Sequence, residues 1–229
     1  MKFWVEEKEI WRIHNTFNGF SKALRPVVPD LEEADIVGEF GYGAGLTADM
    51  SVEIRRMYLN PERCKLDLSG INLSDANLER ASLYNTRLSG ANLRCANLQE
   101  AELEGSNLEN ADLDFANLQS TDLTFSNLHA SKLFQVNLIN AKLDGATLTK
   151  AILYEANLTG AELRYADLSF ANLTKADLTT ADLFSANLTE ANLTKAIVAG
   201  ANLVSAKLIN TNISHSQIWK AKLWKAKAV

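Results

Sequence analysis

From Leu68 to Leu223 a large aliphatic residue returns at every fifth position, with no insertion or deletion. Positions 68, 73, 78 and onward to 223 make 32 pentapeptides, whose central residue is Leu in all but Val198, Ile213 and Ile218. The residue two before each centre is almost always Ala, Ser or Thr, and the one between is mostly Asn or Asp. Neither ordinary element accommodates this spacing. On an α-helix, at about 100° per residue, successive leucines would stand roughly 140° apart and form no stripe. On one flat strand an odd repeat would send alternate leucines to opposite faces.

The pattern instead predicts a very short extended piece in each repeat, followed by a turn. Within Ala76-Asn77-Leu78 the first and third residues share a face by pleat alternation and point inward, while Asn77 points out. The two remaining positions read Glu79-Arg80, Glu109-Asn110, Thr159-Gly160 or Thr174-Lys175, which is turn-compatible, water-facing chemistry. The chain is therefore expected to coil around its own leucines. The recurring Asn and Asp are explained by local hydrogen bonds and stacked amide ladders.

Ala91-Asn92-Leu93, Ala116-Asn117-Leu118 and Ala171-Asn172-Leu173-Thr174-Lys175 resemble the A(D/N)LXX signature of pentapeptide-repeat proteins, over about residues 66 to 225. The resemblance implies a mainly β fold, a right-handed quadrilateral β-helix (solenoid) with four pentapeptides per turn. Periodicity alone shows a coil; its four sides come from the resemblance. Four repeats per turn make about eight coils, and strands about 4.8 Å apart make a rod of roughly 38 Å. Leu78, Leu98, Leu118, Leu138, Leu158 and Leu178 would then form one stack. The small residue two before each leucine leaves room for it. Leu66, Ile71 and Val136 are the branched aliphatics at that position, and only Val136 lies beyond the first coil.

Composition agrees: 229 residues are 47% hydrophobic with 11 Gly and 3 Pro, neither disordered nor collagen-like. No apolar run approaches 18 residues and no signal-peptide pattern opens the chain, so the expected location is cytoplasmic, with no membrane contact. Cys64 and Cys95 are not expected to pair, and with His14, His129 and His215 they share no metal-ligand spacing. The run Gly38 to Gly45 lacks the Lys-Ser/Thr of a phosphate loop. A repeat that spreads its polar groups over a convex outside offers no concave dry site. The expectation is no enzyme, no cofactor and no metal.

Residues 1–65 do not repeat. Phe3, Trp4, Ile10, Trp11, His14 and Phe17 predict an amphipathic helix over about 2–17, and further helices are expected over about 30–40 and 48–59. This small helical N-terminal region either caps the first coil or docks a partner, and residues 66–229 form the β-helix with a C-terminal end-stop. The last ten residues carry Lys220, Lys222, Lys225 and Lys227 with no acid; Trp219, just before them, and Trp224 stand in the last repeats with Leu223. They either close the coil under aromatic cover or join two copies end to end as a homodimer.

Function then falls to the outer surface. In four-sided register Phe115, Phe134 and Tyr154 share one side in three successive coils, and Phe125, Tyr165 and Phe184, preceded by Tyr84, share another. Exposed aromatics of this kind are candidate protein contacts. Glu100, Glu102, Glu104, Glu109, Asp112, Asp114 and Asp122 form an acidic belt with no Lys or Arg among them. Residues 66 to 219 carry 17 acidic and 10 basic side chains, a sign that disfavours direct nucleic-acid binding. The favoured expectation is a non-catalytic scaffold binding another protein through an outer face or an end; the uninterrupted Ala-Asn-Leu type resembles family members abundant in cyanobacteria. The alternative, implied by the resemblance, is a DNA-mimicking regulator of DNA gyrase. Leucine centres, an unbroken coil and interspersed lysines depart from that type.

Overall fold

The computed structural model describes residues 67–214 and 221–223, and the helices expected before residue 66 and the residues Trp219 and Trp224 lie outside them. Among the described residues 27 parallel bridges join Asn-slot positions, and every one links residues twenty apart, from Asp67 to Arg87 through Asn202 to Lys222. Twenty residues is four pentapeptides, so the four-sided register is seen directly. The faces are numbered here in chain order: face 1 contains Leu68, face 2 Leu73, face 3 Leu78 and face 4 Leu83, each recurring every twenty residues.

Why five residues suffice follows from the backbone polar groups of a single repeat. In 96–100 the Ala96 N–H donates to the Leu93 carbonyl (3.0 Å) and closes the turn. Asn97 donates back to Ala76 of the preceding coil (2.9 Å), while Leu98 and Glu100 donate forward to Asn117 (2.7 Å) and Gln119 (2.9 Å). The remaining N–H, on Gln99, is met by the Asn97 side-chain oxygen at 3.3 Å. All five donors are used, as a chain with so much interior surface requires. Asn or Asp is thus a backbone partner as well as a surface residue. Where Lys132 or Glu162 occupies that slot, the turn N–H of Phe134 or Arg164 is taken by a carboxylate of the preceding coil, Asp114 at 2.9 Å or Asp144 at 2.8 Å.

Each corner is a two-residue turn whose second residue has a positive φ, the signature of a type II turn. From residue 70 to 210 this holds at every fifth position, 23 times on a non-glycine residue and six times on glycine. Bulky residues are included: Phe115, Phe125, Tyr165 and Phe170 sit at φ 56 to 62°. That conformation costs an L-residue about 1–2 kcal/mol, which the flanking ladder bonds override.

From Leu73 to Leu203 every central residue is at most 2% exposed. The small residues before them are buried too, and their hydroxyls find carbonyls: Thr121 donates to Leu98 (2.7 Å), Ser126 to Leu123 (2.7 Å) and Ser131 to Leu128 (2.8 Å). Ser106 is the exception, its buried hydroxyl having no partner among the described residues. Val136 fits inside at 1% exposure, with its turn bond to Leu133 stretched to 3.3 Å where Ala116 holds 3.0 Å. Leu223, named from the sequence as a self-association residue, packs partly buried against the end of the core.

Aromatic columns and paired charges on the outer faces

Twenty-residue register sets the outward side chains in lengthwise columns about 4.8 Å apart. On face 2 the three aromatics expected together do meet. Phe115 stands edge-on to Phe134 with ring centroids 5.1 Å apart, and Phe134 stacks on Tyr154 at 5.7 Å and 11°. Cations close both ends: the Arg94 guanidinium lies 4.8 Å from the Phe115 centroid and the Lys175 ammonium 5.0 Å from that of Tyr154. Both end groups lie in the same register, in the coil before Phe115 and the coil after Tyr154, but a lone cation carries no aromatic signal in the sequence. Each cation is itself paired, Arg94 with Asp114 (3.1 Å) and Lys175 with Glu155 (2.7 Å), and Gln135 donates to Glu155 as well (2.7 Å). Hydrogen bonds from Lys175 and Gln135 hold the Glu155 carboxyl below the usual range, and Glu155 holds the Lys175 ammonium above its own.

The second grouping lies along face 4 and its corner with face 1. Tyr165 meets Phe184 edge-on at 5.7 Å. Phe125 lies over Gly145 of the next coil, where an added Cβ would come 2.5 Å from its ring. Tyr84 is exposed but stands two coils before Phe125, with Glu104 and Gly105 between them in the same register. Further large apolar side chains face outward beyond the two expected groupings: Ile152, Phe170, Ile197 and Ile209. Their signal was positional, because an apolar residue in the Asn slot or a turn position has no interior to enter.

The acidic belt is corrected by the same register. Glu100 pairs with Arg80 (2.7 Å), Asp112 with Lys132 (3.2 Å), Asp114 with Arg94 (3.1 Å) and Asp122 with Lys142 (3.5 Å). Four of its seven carboxylates therefore meet a cation of an adjacent coil. Arg80 lowers the Glu100 pKa through its hydrogen bond. At Asp122 burial pushes the carboxyl up, but the hydrogen bonds from Thr124 and the Lys142 charge outweigh it and the pKa is lowered. Between coils the amides also bond one another, as in the run Asn97 to Asn77 (3.2 Å), Asn117 to Asn97 (3.1 Å) and Asn137 to Asn117 (2.9 Å).

Cys95 is a free, exposed thiol at a corner. Among the described residues no group of three or more His, Cys, Asp or Glu is placed to hold a metal ion, and no helix is long and apolar enough to cross a membrane.

Comparison with solved structures finds similar chains, pentapeptide repeat proteins among them. HetL, a pentapeptide repeat protein involved in heterocyst differentiation regulation in the cyanobacterium Nostoc sp. strain PCC 7120, is 32% identical over 77% of this chain and 94% of its own, with a TM-score of 0.44. QnrB1, a plasmid-mediated fluoroquinolone resistance protein, is 16% identical over 72% of this chain and 84% of its own, with a TM-score of 0.46. The pentapeptide repeat protein alr5209, also from Nostoc, is 36% identical over 42% and 84%, with a TM-score of 0.32. No curated protein matches the chain. The family model for pentapeptide repeats matches eight times, in overlapping stretches from residue 71 to residue 224. With five-residue periodicity, twenty-residue register and this match in agreement, the chain belongs to the pentapeptide-repeat family, whose fold is the right-handed quadrilateral β-helix.

Proposed function

We propose that the rod is a non-catalytic scaffold that binds another protein through its outer faces. The observation that carries this reading is the placement of aromatic side chains outside a core that is complete without them. The leucine stacks close the interior, so Phe115, Phe125 and Tyr165 owe their positions to something beyond folding. Exposed aromatic clusters are where binding energy concentrates in protein interfaces. The test is capture of partners by the full chain, with cross-linked peptides mapped onto it, beside Phe115→Ala/Phe134→Ala/Tyr154→Ala and Phe125→Ala/Tyr165→Ala/Phe184→Ala. Loss of a partner in one triple variant, with cross-links on the matching face, supports the reading. A partner set unchanged in both variants removes it.

Gyrase regulation by DNA mimicry needs a continuous run of unpaired acid on one side, and the ion pairs across the belt argue against it. The expected outcome in a gyrase supercoiling assay is no inhibition. Inhibition that weakens when Glu102, Glu104, Asp112 and Asp114 are changed to Lys would replace the scaffold reading.

A further inference from the structure

The two aromatic groupings differ in what they leave available. On face 2 the rings cover one another and the end cations cover the outermost rings, so that column is largely satisfied from within the chain. At the face 4 edge Phe125 and Tyr165 are 69% and 65% exposed. They occupy the same corner two coils apart, about 9.6 Å. With the Phe125 ring lying over Gly145 and Phe184 beside Tyr165, apolar groups recur as a ridge along this corner of the rod.

The ridge runs beside the most acidic side of the molecule. From residue 81 to 205 the face 4 pentapeptides carry six acids, Glu102, Glu104, Asp122, Asp144, Glu162 and Asp182, against Lys142 and Arg164. Face 2, by contrast, balances Asp75, Asp112, Asp114 and Glu155 with Arg94, Lys132, Lys175 and Lys195. Lys142 and Arg164 are already bound, to Asp122 at 3.5 Å and Asp182 at 2.6 Å, so face 4 presents a surplus of carboxylate to anything that approaches.

The geometry points to a basic amphipathic helix of another protein as the occupant of this ridge, an inference that rests on the scaffold reading above. A strand cannot add to this side, because the backbone donors and acceptors along it are already used between coils. A helix laid along the axis needs no backbone partner. Its apolar residues from i through i+3 and i+4 to i+7 span about 10.5 Å, close to the two-coil length of the ridge from the Phe125 corner to the Tyr165 corner. Lys or Arg on its flanks would meet the face 4 carboxylates, whereas an acidic helix or a nucleic acid would be repelled.

The probe is a synthetic 18-residue helical peptide with Leu at i, i+3, i+4 and i+7 spacing and Lys elsewhere, titrated against the full chain by fluorescence anisotropy. A Leu/Glu peptide of the same pattern is the control. Because Asn accepts a positive φ, Phe125→Asn/Tyr165→Asn should leave the thermal transition in place, which circular dichroism checks. The inference expects the Leu/Lys peptide to bind, weaken with added salt, and weaken at least tenfold in that double variant but not in Phe115→Asn. Equal binding to the double variant, or equal binding of the Leu/Glu peptide, overturns it. If neither peptide binds while cross-links still place a partner on face 4, the helix is wrong and the scaffold stands; if cross-links place no partner on the rod, the scaffold reading fails.

Discussion

Asn in the slot before each leucine does two things with one side chain. Its oxygen takes the turn N–H that no backbone carbonyl meets, and its amide bonds the equivalent Asn one coil away, as Asn137 does with Ile139 (3.2 Å) and Asn117 (2.9 Å). Both roles were legible in kind, as local hydrogen bonds and stacked amide ladders, but which N–H the oxygen takes requires knowing where the corner falls. At the small-residue position the expectation of Ala, Ser or Thr held, and the structure adds which hydroxyls are satisfied. Ser106 is not, so Ser106→Ala should raise stability by about 1 kcal/mol by removing a buried unmatched hydroxyl. Urea unfolding checks this. A loss of 1 kcal/mol instead would mean that the hydroxyl has a partner.

At the scale of the pentapeptide, no repeat buries its own leucine or completes its own bonds, so each coil is held by the coils on either side. Ion pairs twenty residues apart add to this at the surface, and they predict the pH response. Glu100 and Glu155 have lowered pKa values, so their contribution is fully present above the unfolded value near about 4.3 and is lost as pH falls through the folded values. Lys175 has a raised one, so its contribution is fully present below about 10.4 and is lost only as pH rises through the higher folded value. Stability should therefore be nearly flat from about pH 5 to 9 and fall below about pH 4. Glu155→Gln should lower the urea midpoint at pH 7 and reduce its drop between pH 7 and 3.5. An identical drop in the variant would show that the Lys175 pair is not formed in solution. These pairs follow from the same twenty-residue register that placed the aromatics, although they were not drawn from it. The belt read as bare acid because Arg80, Arg94, Lys132 and Lys142 all lie outside it in the chain, twenty residues from their partners.

For the molecule as a whole, coiling was evident in the spacing of five, since neither a helix nor a flat strand buries such a pattern. Four sides required the family resemblance, and the bridges now supply them independently. The aromatic columns were legible once that register was assumed, because position modulo twenty decides which side chains are neighbours. Their difference in availability was not: it depends on Arg94 and Lys175 folding over the face 2 rings, and on Gly145 leaving space for Phe125. With its leucines committed to the interior and its backbone to neighbouring coils, the rod has side chains on four outer faces left for recognition. The identity of a partner is written in that partner as much as here.

The central claim is that the aliphatic at every fifth place lines a dry interior while the residue beside it faces out. Equilibrium denaturation of Leu138→Asp beside Asn137→Ala tests it most directly. The account predicts that Leu138→Asp loses at least several kcal/mol, from an unpaired charge in a stack where Leu138 is 1% exposed, while Asn137→Ala loses about 1–2 kcal/mol with its two hydrogen bonds. Equal losses in the two variants would contradict it.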